Sequence, residues 1–198
     1  MDPRKYLSDE DIQKASRSTT KNRPIINGEG KKVLLPLKAM HKEINGNITL
    51  EVVSVCIEDL VEGSNHEGAI HAETFYLNER ALWKLSKWCL GMGWLQEFNE
   101  NDLDSVEQVF KNGPFIGVFK HSTYNDRDIY QIKYFNKCWV DKDASGLPIF
   151  SEEQKAIIQD AEEHLESFFF RRAENGVQYV GLETPNSNQY ISHDVAPF

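Results

Sequence analysis

The chain has 198 residues, 40% hydrophobic and 27% charged, which is about one domain's length in ordinary globular proportions and excludes a large multidomain enzyme and global disorder. No run approaches the roughly 20 apolar residues of a membrane span, and the opening MDPRKYLSDED lacks an apolar signal core, so a cytoplasmic protein without membrane partners is expected. The formal charge of −9 argues against nucleic acid only while it is summed over the whole chain. Residues 1–44 hold ten Lys/Arg against six Asp/Glu and residues 114–140 hold four against two, whereas residues 45–113 hold four against twelve and residues 141–198 four against eleven.

Residues 1–30 read as a polar arm with a short helical signal, SDEDIQKAS, opened by Ser8 as a cap. From 32 to 44, KVLLPLKAMHKEI predicts a strand interrupted at Pro36, which suits an edge or a bulge because proline cannot donate to a ladder. Asn45-Gly46-Asn47 is a tight turn, and ITLEVVSVCIEDL beyond it is rich in β-branched residues, so the first two strands form a hairpin. AIHAETFYL predicts a third strand. Asn78 then caps NERALWKLSKWCLGMGW, where Leu82, Leu85, Cys89 and either Trp88 or Met92 fall on one helical face that ends near Gly91 and Gly93. DLDSVEQVF is a second short helix closing at Asn112-Gly113. PFIGVFKHS and DIYQIKYFNKCWV predict the fourth and fifth strands, with TYNDR as the loop between them.

The order β-β-β-α-β-β, with a helical insertion at 78–112, is that of an OB-fold five-stranded barrel over residues 31–140, mainly β with α insertions, although other small barrels and α+β sheets share it. Ser151 caps a C-terminal helix, EEQKAIIQDAEEHLESFFFRR, whose Ile157, Ala161, Leu165 and Phe168 make one apolar face for packing on the barrel or on a second copy of the chain. With a short β-like piece, VQYVGL, it fills residues 141–183. Residues 184–198 have no periodicity and read as a flexible tail.

Enzymatic signatures are weak. Gly28-Glu29-Gly30-Lys31 lacks the spacing and the Ser/Thr of a P-loop and precedes a strand. Cys56, His66 and His71 lack the tight spacing of a zinc site and are expected as packing and loop residues. Asp141 with Asp143, and Glu152 with Glu153, sit where solvated acids are normal. Three widely spaced cysteines, Cys56, Cys89 and Cys138, fit reduced thiols. No catalytic residue, metal site or cofactor is therefore expected.

The two basic segments border an OB groove. Lys31, Lys32, Lys38 and Lys42 in the first, with Lys120, Arg127 and Lys133 in the second, are the residue types that neutralise phosphates and release counterions. Tyr124, Phe119 and Phe135 lie on or near the fourth-to-fifth-strand hairpin as rings for base stacking, in competition with a core role for the same aromatics. Trp83, Trp88 and Trp94 are expected to pack, and Trp139 is open to either role.

The ending His193-Asp194-Val195-Ala196-Pro197-Phe198 resembles the C-terminal tip of bacterial and phage single-stranded-DNA-binding proteins, and residues 31–140 resemble phage-encoded members in which an OB barrel carries a helical insertion. The resemblance implies a non-enzymatic, sequence-tolerant binder of single-stranded DNA in replication, recombination or repair, in the cytoplasm of a bacterium or phage-infected cell. It also implies that Asp194, Pro197 and Phe198 recruit partner proteins through ring, carboxylate and terminal charge. This tip carries one acid where several are usual. The alternative is an acidic protein-interaction or DNA-mimic inhibitor module, favoured by the acidic block at 45–113.

Overall fold

Strand β1 (Gly30–Ile44) pairs with three other strands and organises the sheet. In the computed structural model, which describes residues 25–182 except 98, 125 and 126, it pairs antiparallel with β2 (Asn47–Asp59) from Lys32↔Asp59 to Ile44↔Asn47. The connection is the two-residue turn predicted from Asn-Gly: Asn45 and Gly46 both take positive φ, at 51° and 75°, the conformation a tight hairpin of this twist needs. The ladder shifts register between Pro36 and Lys38. On its other side β1 pairs with β4 (Phe115–Tyr124) only from Gly30↔Phe119 to Leu34↔Phe115, so the proline sits at a bulge where no second ladder asks for its missing N–H.

Strand β3 (Ile70–Tyr76) pairs with β2, and β5 (Arg127–Lys137) with β4, giving the order β3-β2-β1-β4-β5; β6 (Gln178–Tyr179) joins β1 at Lys42 and Glu43. Among the described residues the molecule is thus mainly β, an antiparallel six-stranded sheet with four helices, and the sheet is not closed by a ladder between β3 and β5. Their side chains nevertheless meet: the rings of Phe75 on β3 and Phe135 on β5 lie 6.2 Å apart. Helix α1 (Leu82–Gly91) packs against both outer strands, and α2 (Leu103–Phe110) against β1. Leu85, Trp88, Cys89 and Met92 are all buried in the main core. The helix begins later than predicted, because Asn78 accepts the Ala81 N–H and so caps a turn that precedes it.

The C-terminal helix predicted as one is two, α3 (Glu152–Glu163) and α4 (Leu165–Glu174), separated at His164. The Nδ1 of His164 lies 2.7 Å from the Asp160 carbonyl, and the break sends the two halves to different places. Ile157, Ile158 and Ala161 pack with Val33, Leu35, Val55 and Ile57, while Leu165, Phe168 and Phe169 pack with Val53 and Tyr179. Ser151 opens α3 as expected, in a reciprocal capping box with Gln154. No helix among the described residues is long and apolar enough to cross a membrane. The predicted N-terminal helix and the C-terminal tail lie outside the described residues.

Candidate nucleic-acid interface

The interface candidates divide by which way the sheet turns them. Beyond Phe119, β4 leaves β1, and β4 and β5 continue alone through five further pairs, from Lys120↔Gln131 to Tyr124↔Arg127. The segment TYNDR, predicted as a loop, therefore contributes its first two residues and its last to the strands, and a two-stranded ribbon projects from the sheet. Tyr124 and Arg127 close its ladder. Cross-strand partners share a face, so the row Lys31↔Val118↔Tyr134 brings Lys31 of β1 and Tyr134 of β5 to the same side of the sheet. Lys31 is exposed, and Tyr134 is 54% exposed.

A register shift between Val118 and Phe119 makes Lys133 the extra residue opposite that step. This bulge changes the parity of β5. Ile132 and Phe135 both face the core, and Lys133 and Tyr134 both reach solvent. Lys120 is half exposed, with Nζ 3.3 Å from a Glu29 carboxylate oxygen, and the other oxygen of Glu29 accepts the His121 N–H at 2.9 Å. That N–H, followed by the Lys120 ammonium, holds the Glu29 carboxyl below its ordinary value. Lys38 is also exposed but lies further along β1, 3.1 Å from Glu107.

Two predicted groove lysines point inward. Lys32 is fully buried, its Nζ 3.1 Å from both carboxylate oxygens of Asp59. Asp59 also accepts hydrogen bonds from Ser64 Oγ and from the N–H groups of Val61 and His66, and lies 2.6 Å from His66 Nδ1. Burial pushes this carboxyl up, but Ser64, His66, Lys32 and Val61 together hold it well below the usual carboxylate range. A serine, a histidine and an aspartate meet here without forming a catalytic triad. The carboxylate can only accept, so Nδ1 carries its proton toward Asp59; Ser64 also donates to Asp59, and Nε2 lies 2.8 Å from Asn27 Oδ1. The serine lies on the Nδ1 side, 3.0 Å from that nitrogen, while Nε2 faces Asn27 and accepts its N–H at 3.4 Å, so no basic ring nitrogen is placed to deprotonate the serine. The cluster instead clasps the loop after β2 to residues 26–28, where Ile26 enters the main core.

Lys42 is buried against Glu51 and donates to Thr74 Oγ1 at 2.8 Å. Glu51 also accepts from Arg172 of α4 at 2.8 Å and from the Tyr179 hydroxyl of β6 at 2.6 Å. Burial, then donation to Glu51, raises the Tyr179 hydroxyl above its ordinary value. Through this network α4 and β6 cover the outer side of β1, β2 and β3.

Of the predicted stacking rings, Phe119 is fully buried, its ring 5.0 Å from His71, and Phe135 packs against Phe75 and Phe115. Both belong to the core. Exposed rings missed as stacking candidates are Tyr134 and Trp83; Trp139, open to either role in the sequence, is 83% exposed. Lys137 Nζ stands 4.1 Å from the centroid of the Trp139 ring. Asp194, Pro197 and Phe198 lie outside the described residues.

Cys56 and Cys89 are buried, and desolvation pushes both thiols up to about 12, so neither is a nucleophile at neutral pH. No group of three or more His, Cys, Asp and Glu among the described residues is placed to hold a metal ion. No protein-family model matches the chain, and no curated protein matches its sequence.

Proposed function

We propose that the chain binds single-stranded DNA without regard to sequence and performs no chemistry on it. The observation that carries this reading is the projecting β4–β5 ribbon, with exposed Lys120 at its foot, Lys133 at the bulge just below it and, on the adjoining sheet, Lys31 and Tyr134. Cations spaced along a strand pair, interleaved with an exposed ring, are what a flexible phosphate backbone with unpaired bases can use. The acidic residues of the insertion and of α3 repel DNA from the other faces.

The sheet is read as an OB-type barrel left open between its third and fifth strands. Its support is the order β3-β2-β1-β4-β5, which is the order such a barrel presents when cut there, together with the contact between Phe75 and Phe135 across the gap. In this reading the ligand path is displaced from β2–β3, which α4 covers, to the ribbon. Asp194, Pro197 and Phe198 then serve as a docking peptide for replication, recombination or repair proteins.

The test is fluorescence anisotropy of a labelled oligo-dT strand and of the matching duplex at two salt concentrations. Preference for the single strand, weakening as salt rises, supports the reading. Absence of binding even at low salt overturns it and favours an acidic protein-interaction module, for which partner capture by the intact chain becomes the assay.

A further inference from the structure

Where β5 ends, the chain turns into a loop that is more ordered than its composition implies. Asp143 Oδ1 accepts the N–H groups of Ser145 and Leu147 at 2.8 and 3.0 Å, the Asp143 and Ile149 amides bond Leu147 and Asp141 carbonyls, and Lys142 bridges to Pro148. This small hairpin holds Lys142 in place beside the end of β5. Between it and the end of α1 lies a cavity of about 210 Å³, lined among others by Gly93, Asn112, Lys137, Trp139, Val140 and Lys142. Gly93 has a positive φ of 70°, and a Cβ there would sit 3.3 Å from Lys137 Cε, so glycine admits the lysine stem alongside the mouth of the cavity.

The chemistry of the lining is specific. Lys137, Lys142, Asn112 and Trp139 line one concavity together with Met92 and Cys138, and none of its lining residues is acidic. The cavity is smaller than the roughly 300 Å³ at which pockets for drug-sized ligands begin, which restricts its occupant to a compact group. Lys137 Nζ stands over one face of the Trp139 ring, so the 83% exposed indole has its other face to offer as a flat apolar surface, and Lys137 and Lys142 offer charge for an anion.

We infer that the cavity at the end of β5 binds a single 5′-phosphorylated nucleotide unit, its base stacked on Trp139 and its phosphate held by Lys137 and Lys142. The unit has two sources, a free mononucleotide or one residue of a bound strand. The second source rests on the function proposed above, and the first does not.

Both sources are tested with the full chain by titrating thymidine 5′-monophosphate and, separately, oligo-dT, following the indole N–H resonances and strand anisotropy. Wild-type chain, Trp139→Ala and Lys137→Ala/Lys142→Ala are compared. Trp139 is exposed, so its removal leaves the fold intact, which the unchanged dispersion of the remaining resonances checks. The expected result is that the mononucleotide shifts the Trp139 resonance and that inorganic phosphate alone does so less. Strand affinity falls about 5- to 150-fold in Trp139→Ala, the range that loss of one stacked base gives. Strand binding that is equal in all three proteins, with no response to mononucleotide, overturns the pocket and leaves strand binding standing. If the wild-type chain binds no strand, that reading fails by itself. The mononucleotide arm then decides the cavity: a Trp139 shift lost in the double-lysine variant upholds a free-nucleotide site, and no shift overturns it.

Discussion

Between β1 and β2 two lysines turn into the molecule against buried carboxylates, whereas at the foot of the projecting β4–β5 ribbon the lysines reach water. Lys32 and Lys42 lie in one region with Asp59 and Glu51; Lys120 and Lys133 lie in the other. The same residue type at similar sequence spacing thus serves cohesion in one place and is available for recognition in the other. What separates them is the covering layer. α4 and β6 lie over Lys42, and the loop after β2 with residues 26–28 closes over Lys32 and Asp59.

The comparison is broken hardest at Glu51. Replacing it by alanine leaves Lys42 buried without its counter-ion and unties Arg172 and Tyr179, so a loss of about 3–5 kcal/mol of folding stability is expected in urea denaturation. Phe119→Ala should cost a similar or slightly smaller amount, about 3–5 kcal/mol, while Tyr134→Ala, on the exposed side of the same sheet end, should stay within about 0.5 kcal/mol. Equal costs for the two rings would refute the division into core and surface.

Asp59 sharpens the comparison through pH. Its carboxyl is held below the ordinary value, so its contribution is complete above about pH 3.9 and is lost as pH falls from there toward the folded value. Asp59→Asn leaves the buried Lys32 ammonium without its counter-ion and should lower stability at neutral pH by about 3–5 kcal/mol. Its urea midpoint should then fall less steeply than that of the wild-type chain on acidification; parallel curves would show that Asp59 is not the group responsible. The smallest effect on folding is expected on the ribbon. Lys120→Glu with Lys133→Glu should leave the urea midpoint nearly unchanged but weaken strand binding and reduce its salt slope by about 0.7 for each phosphate that is no longer neutralised.

Much of the architecture was legible because local chemistry decided it. Asn45-Gly46 specified its hairpin, Pro36 its bulge, Ser151 its capped helix, and the spacing of Leu85, Trp88 and Cys89 the buried side of α1. The candidate site was less legible because it depends on parity. Counting alternate residues along β5 cannot reveal the extra residue at Lys133, and that one insertion decides that Phe135 enters the core while Tyr134 leaves it. The burial of Lys32 and Lys42 was hidden for another reason. Each is compensated by a carboxylate 27 or 9 residues away, and a lysine on a strand gives no local sign that a distant partner will receive it. The division of the C-terminal helix depended on two separate hydrophobic clusters, which exist only once the sheet has formed.

An open sheet leaves two outer strands with hydrogen-bonding groups that could template a neighbour. In this molecule α1 lies against both of them, and Gly91 brings it so near β5 that a Cβ would stand 2.8 Å from Cβ of Phe135 and 3.1 Å from its carbonyl carbon. A helix seated that tightly acts as a plug. The bare backbone at one glycine thus lets the sheet remain open while denying the gap to an invading strand, a form of protection against aggregation achieved by proximity and without another ladder.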